Sequence, residues 1–291
     1  MGRTFKKLLV ICGPTATGKT DLALHLAHFF KGELISADSR QVYKYMNIGT
    51  GRGNEKILGY DLVMPSEEFS VSKYSKYAKE KISDIWKRNK LPIIVGGTGL
   101  YIKALVDGIG TMDIPKDEKL RSSLSKKTPI QLLNLLGGLD PIKAASMNQS
   151  DAKNSRRLIR AIEIAKAQTP PKQEALNANV LWIGLNSPIE LLEKKIQQKV
   201  DERIKNGFES EVEFLKKKDL FRFIPSNTIG YSDWPDVKKW KNRERQYAKR
   251  QMLWFSREKR INWFDVSKIG WQKNVEKLVK KWYSSLDAKE N

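Results

Sequence analysis

Short apolar runs alternate with helical patterns over the first hundred residues of the chain. Three runs have the length and composition of buried strands: KLLVIC (7–12), ELIS (33–36) and LPIIV (91–95). Between the last two, apolar residues recur at three- and four-residue spacing, as on the buried face of a helix: Val71, Tyr74, Ala78, Ile82 and Ile85. Strands that alternate with helices predict a parallel sheet covered by helices, and therefore an α/β fold.

An all-helical stretch begins near Ile114, and strand character returns only in VLWIGL (180–185). We therefore predict a helical insertion domain over residues 114–179. The flanking segments, 1–113 and 180–291, are predicted to form one α/β core.

After Pro188 the pattern predicts helices to the end of the chain, and this region is basic. In RERQYAKRQMLWFSREKR (243–260), arginines recur every seven residues and predict a basic stripe along a helix: Arg243, Arg250 and Arg257. The same helix is expected to bury an apolar face formed by Ala248, Met252 and Phe255.

The charge balance changes the range of functions to consider. The chain has 54 Lys and Arg against 33 Asp and Glu, a net charge of +21, which favours nucleic acid over an acidic membrane as the partner. No apolar run approaches the length of a membrane span, so we expect a cytoplasmic protein without membrane contact. A single cysteine, Cys12, excludes an internal disulfide and a Cys-x-x-Cys zinc site.

The segment GPTATGKT satisfies the phosphate-loop (P-loop) pattern and lies between a strand and a helix, as that pattern requires. Backbone N–H groups of such a loop surround a phosphate, Lys19 reaches a terminal phosphate, and the Thr20 hydroxyl can bind Mg²⁺. The predicted phosphate-binding residues are Gly13, Pro14, Thr15, Ala16, Thr17, Gly18, Lys19 and Thr20. The strand LPIIV runs into GGTG and lacks the metal-binding aspartate of nucleoside triphosphatases. The loop is therefore predicted to hold a diphosphate outside a hydrolysed nucleoside triphosphate.

Asp38 follows the second predicted strand, at the edge of the sheet where open α/β proteins bind ligands. An aspartate at this position is also an ordinary turn former or helix cap. Because the P-loop, Asp38 and the segment 96–101 all follow parallel strands, we expect them to meet at one edge.

At these residues the chain resembles the tRNA dimethylallyltransferases. Its matching motifs occur in the order of that family: GPTATGKT, SADSRQVYK, MNIGT, VGGTGLYIKAL, NSRRLIRAIEI, NGFESEV, IGY and RQYAKRQMLWF. The resemblance implies a P-loop fold of the nucleoside triphosphatase type. It also implies that the P-loop holds dimethylallyl diphosphate with Mg²⁺, and that the insertion clasps the anticodon stem-loop of tRNA. The implied reaction is prenylation of N6 of the adenosine immediately 3′ of the anticodon, in tRNAs that read codons beginning with U.

The resemblance also implies roles for individual residues. Asp38 is the expected general base, Thr98 orients the reacting adenine, Lys19 stabilises the leaving diphosphate and Arg160 contacts the diphosphate region. A base in a stacked anticodon loop must be flipped out before it can react, and Gln41 is expected to read it. The residues expected to bind tRNA are Asp38, Ser39, Arg40, Gln41, Thr98, Arg121, Arg156, Arg157, Arg160, Lys249, Arg250, Gln251 and Trp254. Arg52, Lys195 and Lys199 depart from the family pattern, and no role is assigned to them.

Other functions are compatible with parts of the sequence. An adenylate isopentenyltransferase would use free AMP, ADP or ATP, but would need neither the insertion nor the basic C-terminal third. A P-loop small-molecule kinase has a similar early topology and would transfer phosphoryl groups. An RNA-binding protein without catalysis would use the loop only as a ligand sensor. We expect a monomer, since one RNA partner accounts for the charge.

Overall fold

The computed structural model describes residues 6–167, 173–225 and 228–285. It contains two compact units. The core unit consists of Met1–Val106 and Leu176–Asn291, and the insertion unit consists of Asp107–Ala175. The predicted insertion, 114–179, differs from these bounds at both ends, because the sequence argument followed the loss and return of strand character and the structural division follows compactness.

Within the described residues the core unit has one five-stranded sheet. Its strands are β1 (Lys7–Cys12), β2 (Gly32–Ser36), β3 (Leu91–Val95), β4 (Asn179–Asn186) and β5 (Ile261–Asp265), in the order β2-β3-β1-β4-β5. All neighbouring pairs are parallel, so every strand ends at the same edge of the sheet. The predicted α/β fold is confirmed.

The prediction of helices from Pro188 to the end of the chain was wrong at β5. This strand pairs with β4 from Ile261 opposite Trp182 to Asp265 opposite Asn186. It is a short edge strand, and of its residues only Ile261 is fully buried. Because INWFD has no continuous apolar run and contains two poor strand formers, its strand character comes from pairing with β4.

In chain order, the helices of the described residues are α1 (Lys19–Phe29), α2 (Val71–Lys87), α3 (Gly99–Val106), α4 (Glu118–Leu124), α5 (Pro129–Leu139), α6 (Pro141–Ser146), α7 (Gln149–Ala152), α8 (Ser155–Lys166), α9 (Ile189–Lys205), α10 (Phe208–Lys217), α11 (Val237–Phe255) and α12 (Trp271–Ser284). None of them is long and apolar enough to cross a membrane.

Helices pack on both faces of the sheet. On one face α2 and α3 pack against alternate residues of β1, and α2 buries most of its predicted face: Tyr74, Ala78, Ile82 and Ile85. On the other face α1 and α12 contribute Leu22, Leu26, Val275 and Val279. Burying one aliphatic side chain of this kind stabilises the folded state by about 1.5–3 kcal/mol relative to leaving it exposed. This two-sided burial fixes the strands whose ends form the site.

Two smaller clusters complete the packing. In the core unit, α9, α10 and α11 meet around Val200, Phe208, Leu215 and Trp240. The insertion unit has an apolar cluster of its own from α4, α5 and α8, formed by Leu124, Leu132, Leu136, Leu158, Ala161 and Ile162.

Candidate active site

A cavity of about 430 Å³ lies at the carboxyl ends of β1, β2 and β3 in the core unit. Its lining comes from the P-loop, the segment 38–41, the turn 96–97 and facing residues of α9 and α11. The volume is within the usual range for a small-molecule site. The structure therefore brings the P-loop, Asp38 and the turn after β3 to one edge of the sheet, as the topology predicts.

The P-loop has a backbone that only glycine permits at its first position. Gly13 has φ +132°, and a Cβ atom there would lie 2.3 Å from the carbonyl oxygen of Leu185. At the other end, Gly18 with φ +78° precedes α1, and no side chain caps the first N–H groups of that helix. The uncapped N–H groups and the helix dipole make this end of α1 suited to an anion.

Lys19 lies in the first turn of α1, and its Nζ donates to the carbonyl oxygen of Pro14 at 2.6 Å. Burial and the neighbouring charge of Lys199 lower the pKa of Lys19 to about 8, against the opposing effect of Asp38. An anion bound beside Lys19 would favour its charged form.

Asp38 sits two residues beyond the end of β2 and lines the cavity. Its Oδ1 accepts the N–H of Arg40 at 2.8 Å, so the residue is also the turn former that its position allows. Burial raises the pKa of Asp38, and the Arg40 N–H, the Arg40 charge and Lys19 oppose that rise. A carboxylate with a raised pKa is a stronger base than an exposed aspartate.

Thr98 holds the turn after β3 against the segment that carries Asp38. Its N–H donates to the carbonyl oxygen of Ala37 at 3.0 Å, and its Oγ1 accepts the N–H of Ser39 at 3.0 Å. Tyr247 of α11 shares a hydrogen bond with the Thr98 side chain, and burial raises the pKa of this tyrosine, so it stays protonated. Tyr247 is absent from the predicted site, since a tyrosine in a basic helix is equally compatible with packing.

Gln41 is held at both ends of its amide. Ser36 Oγ donates to its Oε1 at 2.8 Å, and its Nε2 donates to the carbonyl oxygen of Thr50 at 3.4 Å. Glu211 in turn fixes the loop that contains Thr50, because its carboxylate accepts the N–H groups of three successive residues, 47–49, at 2.7–2.9 Å.

Two cations of α9 line the cavity: Lys199, to which the sequence argument assigned no role, and Arg203, which it did not name. Lys199 carries the charge that acts on Lys19. Arg203 donates to Glu244 Oε1 at 2.7 Å and to the carbonyl oxygen of Gly49 at 3.3 Å. Their spacing was visible in the sequence, because Lys195, Lys199 and Arg203 recur every four residues and so share one face of a helix. Of these three, Lys195 does not line the cavity.

Helix α11 buries polar residues that the predicted apolar face does not include. Its buried residues are Trp240, Glu244, Ala248, Gln251 and Phe255, while Met252 is only partly buried. The predicted arginine stripe is not formed: Arg257 follows the end of the helix, and Arg243 donates to Ser232 and Asp233 at 2.6 Å.

The four predicted tRNA-binding residues of α11 have different surroundings. Lys249 and Arg250 are exposed, and Arg250 also lines the cavity. Trp254 is 44% exposed, and its indole occupies the space that a side chain at Gly99 would need. Gln251 is only 4% exposed, and both ends of its amide are bonded within the protein.

The predicted arginines of the insertion unit fall into two pairs. Arg121 and Arg160 both donate to Glu163, which is 4% exposed, and Arg160 also donates to the carbonyl oxygens of Thr111 and Ile114 at 2.8 Å each. Burial alone would raise the pKa of Glu163, but the hydrogen bonds from Arg121, Asp117 and Arg160 lower it to about 2. The second pair is exposed: Arg156, and Arg157, which pairs with Asp151.

The site suits a metal that is held mainly by its substrate. In the described ranges 6–167, 173–225 and 228–285, no cluster of three or more His, Cys, Asp and Glu residues could form a cage around a metal ion. Mg²⁺ keeps several waters and is commonly bound through one or two protein groups together with substrate phosphates. Thr20 lines the cavity at the start of α1, where its hydroxyl fits that kind of binding.

Comparison with known proteins gives consistent matches along the chain. The model of the IPP transferase family matches residues 41–258, and the model described as isopentenyl transferase matches residues 6–60. The tRNA dimethylallyltransferase of Anoxybacillus flavithermus is 36% identical, with 90% of this chain and 91% of the relative covered. That of Halothermothrix orenii is 38% identical, with 94% and 92% covered.

Solved structures are similar over the same extent. The full-length tRNA isopentenylpyrophosphate transferase from Bacillus halodurans matches with a TM-score of 0.71 and 32% identity, covering 97% of each chain. A eukaryotic dimethylallyltransferase acting on tRNA matches with a TM-score of 0.79 and 26% identity, covering 98% of this chain and 81% of that one. Because one family model spans most of the chain and relatives above 30% identity cover nearly all of it, the chain belongs to the IPP transferase family.

Proposed function

We propose that this protein is a tRNA dimethylallyltransferase. It transfers the dimethylallyl group of dimethylallyl diphosphate to N6 of the adenosine immediately 3′ of the anticodon, in tRNAs that read codons beginning with U. The products are N6-dimethylallyladenosine and diphosphate. One observation carries the proposal: in a chain of this family, a phosphate loop and the partly buried carboxylate of Asp38 line the same cavity, and Thr98 is hydrogen-bonded to Ser39, which also lines it.

The P-loop is assigned to the diphosphate of the donor. The carbon–oxygen bond to the diphosphate breaks as negative charge grows on the leaving oxygens, and groups that are already oriented stabilise that charge most effectively. The N–H groups at the start of α1 and the charged form of Lys19 supply this stabilisation, and Lys199 and Arg203 add positive charge from α9. Mg²⁺ held by Thr20 and the diphosphate would neutralise further charge.

Asp38 is assigned as the general base. The N6 amine forms a bond to the allylic carbon and must lose one proton, which passes to the Asp38 carboxylate. Its raised pKa suits that step. Thr98, fixed by Ser39 and Tyr247, orients the adenine, and Gln41 reads its edge after the base is flipped out.

The insertion unit and the exposed face of α11 are assigned to the RNA. Arg121, Arg156, Arg157 and Arg160 are assigned to the anticodon stem-loop. Lys249, Arg250 and Trp254 supply charge and a stacking surface from α11. The proposal includes a monomer that works in the cytoplasm on one tRNA at a time.

The deciding experiment offers one donor and two acceptors. Purified protein is incubated with labelled dimethylallyl diphosphate, Mg²⁺ and either an unmodified tRNA transcript or AMP, and nucleosides are identified by mass spectrometry. We expect N6-dimethylallyladenosine in the transcript, at the position immediately 3′ of the anticodon, and no prenylated AMP. Transfer to AMP alone would identify an adenylate isopentenyltransferase, and an unaltered transcript under saturating donor would refute the proposal.

A further inference from the structure

Gln251 joins three separate segments of the core unit. Its Oε1 accepts the N–H of Thr15 in the P-loop at 2.8 Å, and its Nε2 donates to the carbonyl oxygen of Gly97 in the turn after β3 at 3.1 Å. The side chain itself belongs to α11. A residue in the middle of a basic helix thus bonds the backbone of both segments that carry the chemistry.

The amide of Gln251 occupies the space that a side chain at position 97 would need. A Cβ atom at Gly97 would lie 2.0 Å from Gln251 Nε2, so the turn must be glycine for the amide to reach it. Gln251 is 4% exposed, and both of its polar atoms already have partners in the protein. RNA approaching the outer surface of α11 meets Lys249 and Arg250 instead, which are exposed.

We propose that Gln251 is a positioning residue for the diphosphate site and makes no contact with RNA. The inference rests on the proposed function of the cavity. The bond from Thr15 turns one backbone N–H of the P-loop towards α11 and away from the phosphate, which fixes the path of the loop. The bond to Gly97 holds the turn that ends at Thr98. Gln251 thereby sets the distance between the groups that hold the donor and the threonine that orients the acceptor.

The same helix offers a matched control, because Lys249 is two positions away on its exposed side. Gln251→Met keeps the length of the side chain and removes both hydrogen bonds. Lys249→Ala removes a positive charge from a side chain that is 58% exposed. Two quantities are measured for each protein with Mg²⁺ present: the Kd for inorganic pyrophosphate and the Kd for an unmodified tRNA transcript.

For Gln251→Met we expect the pyrophosphate Kd to rise about tenfold, which corresponds to the loss of one or two intramolecular hydrogen bonds. The tRNA Kd should stay within about twofold of the original protein. For Lys249→Ala we expect the opposite result: the tRNA Kd should rise and the pyrophosphate Kd should stay the same. Weaker tRNA binding by Gln251→Met with an unchanged pyrophosphate Kd would overturn the inference, as would no change in either.

A second variant reaches the same link from the other side. Gly97→Ala pushes the Gln251 amide away from the turn, so it should raise the pyrophosphate Kd by a similar factor, and the double variant should be no worse than the single ones. Additive effects would contradict a shared link. If Gln251→Met fails to fold, the pyrophosphate Kd of Gly97→Ala decides alone. Wild-type protein that binds pyrophosphate but modifies no tRNA would refute the proposed function. The pyrophosphate Kd values of the variants could still be compared and would still test the role of Gln251.

Discussion

The cavity of the core unit and the cationic residues of the insertion unit differ in how many of their functional groups are fixed by hydrogen bonds. Asp38 and Gln41, which line the cavity, and Thr98, in the turn beside it, are each hydrogen-bonded to backbone atoms at 2.8–3.4 Å. In the insertion unit, two arginines share one buried carboxylate and two more are exposed. A reaction between two substrates depends on atomic positions, whereas contact with RNA phosphates depends mainly on charge. The cavity therefore has hydrogen-bonded groups at fixed positions, whereas half of the predicted arginines of the insertion unit are exposed charges.

The largest effect is expected from removing the base without moving it. Asn at position 38 can still accept the N–H of Arg40, so Asp38→Asn should preserve the turn and lose the proton acceptor. We expect kcat to fall by about 10²–10⁴ while the pyrophosphate Kd stays the same. Single-turnover transfer to a tRNA transcript measures kcat. Asp84→Asn, an exposed carboxylate of α2, is the matched control and should be unaffected. A kcat within a few-fold of the original would remove Asp38 from the mechanism.

The next largest effect is expected from pH, which should change the use of the donor at the cavity but not the binding of tRNA. Lys19 binds the donor in its protonated form, so kcat/KM for the donor should fall above the lowered pKa of about 8, by about tenfold per pH unit. Asp38 acts unprotonated, so kcat should also fall in acid, below a pKa higher than that of an ordinary aspartate. RNA binding is assigned to groups other than Lys19, so the tRNA Kd should not follow the fall of kcat/KM above pH 8. Donor and tRNA affinities that weakened together above pH 8 would show that both depend on Lys19.

The sequence was sufficient to predict the parts of the cavity that depend on a local pattern of residues. Spacing within a single segment was enough to predict the P-loop glycines and the buried face of α2. It was also enough to predict that Asp38 and Thr98 each follow a strand. Parallel topology then places those strand ends at one edge. Much of the cavity was therefore predictable from the first hundred residues.

The rest of the cavity depends on contacts between distant segments. Tyr247 and Gln251 lie in a helix whose sequence pattern indicates an apolar face and a basic stripe, but their partners are more than a hundred positions away. Gln251 is buried because it forms hydrogen bonds with two backbone groups, and the spacing of apolar residues along the helix cannot predict such bonds. For the same reason β5 was missed, since its strand character comes from pairing with β4.

The smallest effect should come from one exposed charge of the insertion unit. Arg156 is exposed on α8, and Arg156→Ala should weaken tRNA binding only a few-fold. Losing one phosphate contact should also reduce the slope of log Kd against log salt by about 0.7–0.9. Filter binding at several salt concentrations measures both. Arg88→Ala is the control, because Arg88 pairs with Glu33 near the amino ends of the strands, at the edge opposite the cavity, and its loss should leave the slope unchanged. An unchanged slope for Arg156→Ala, or a large loss of kcat, would show that the insertion unit contributes more than charge, and the contrast between the two regions would no longer hold.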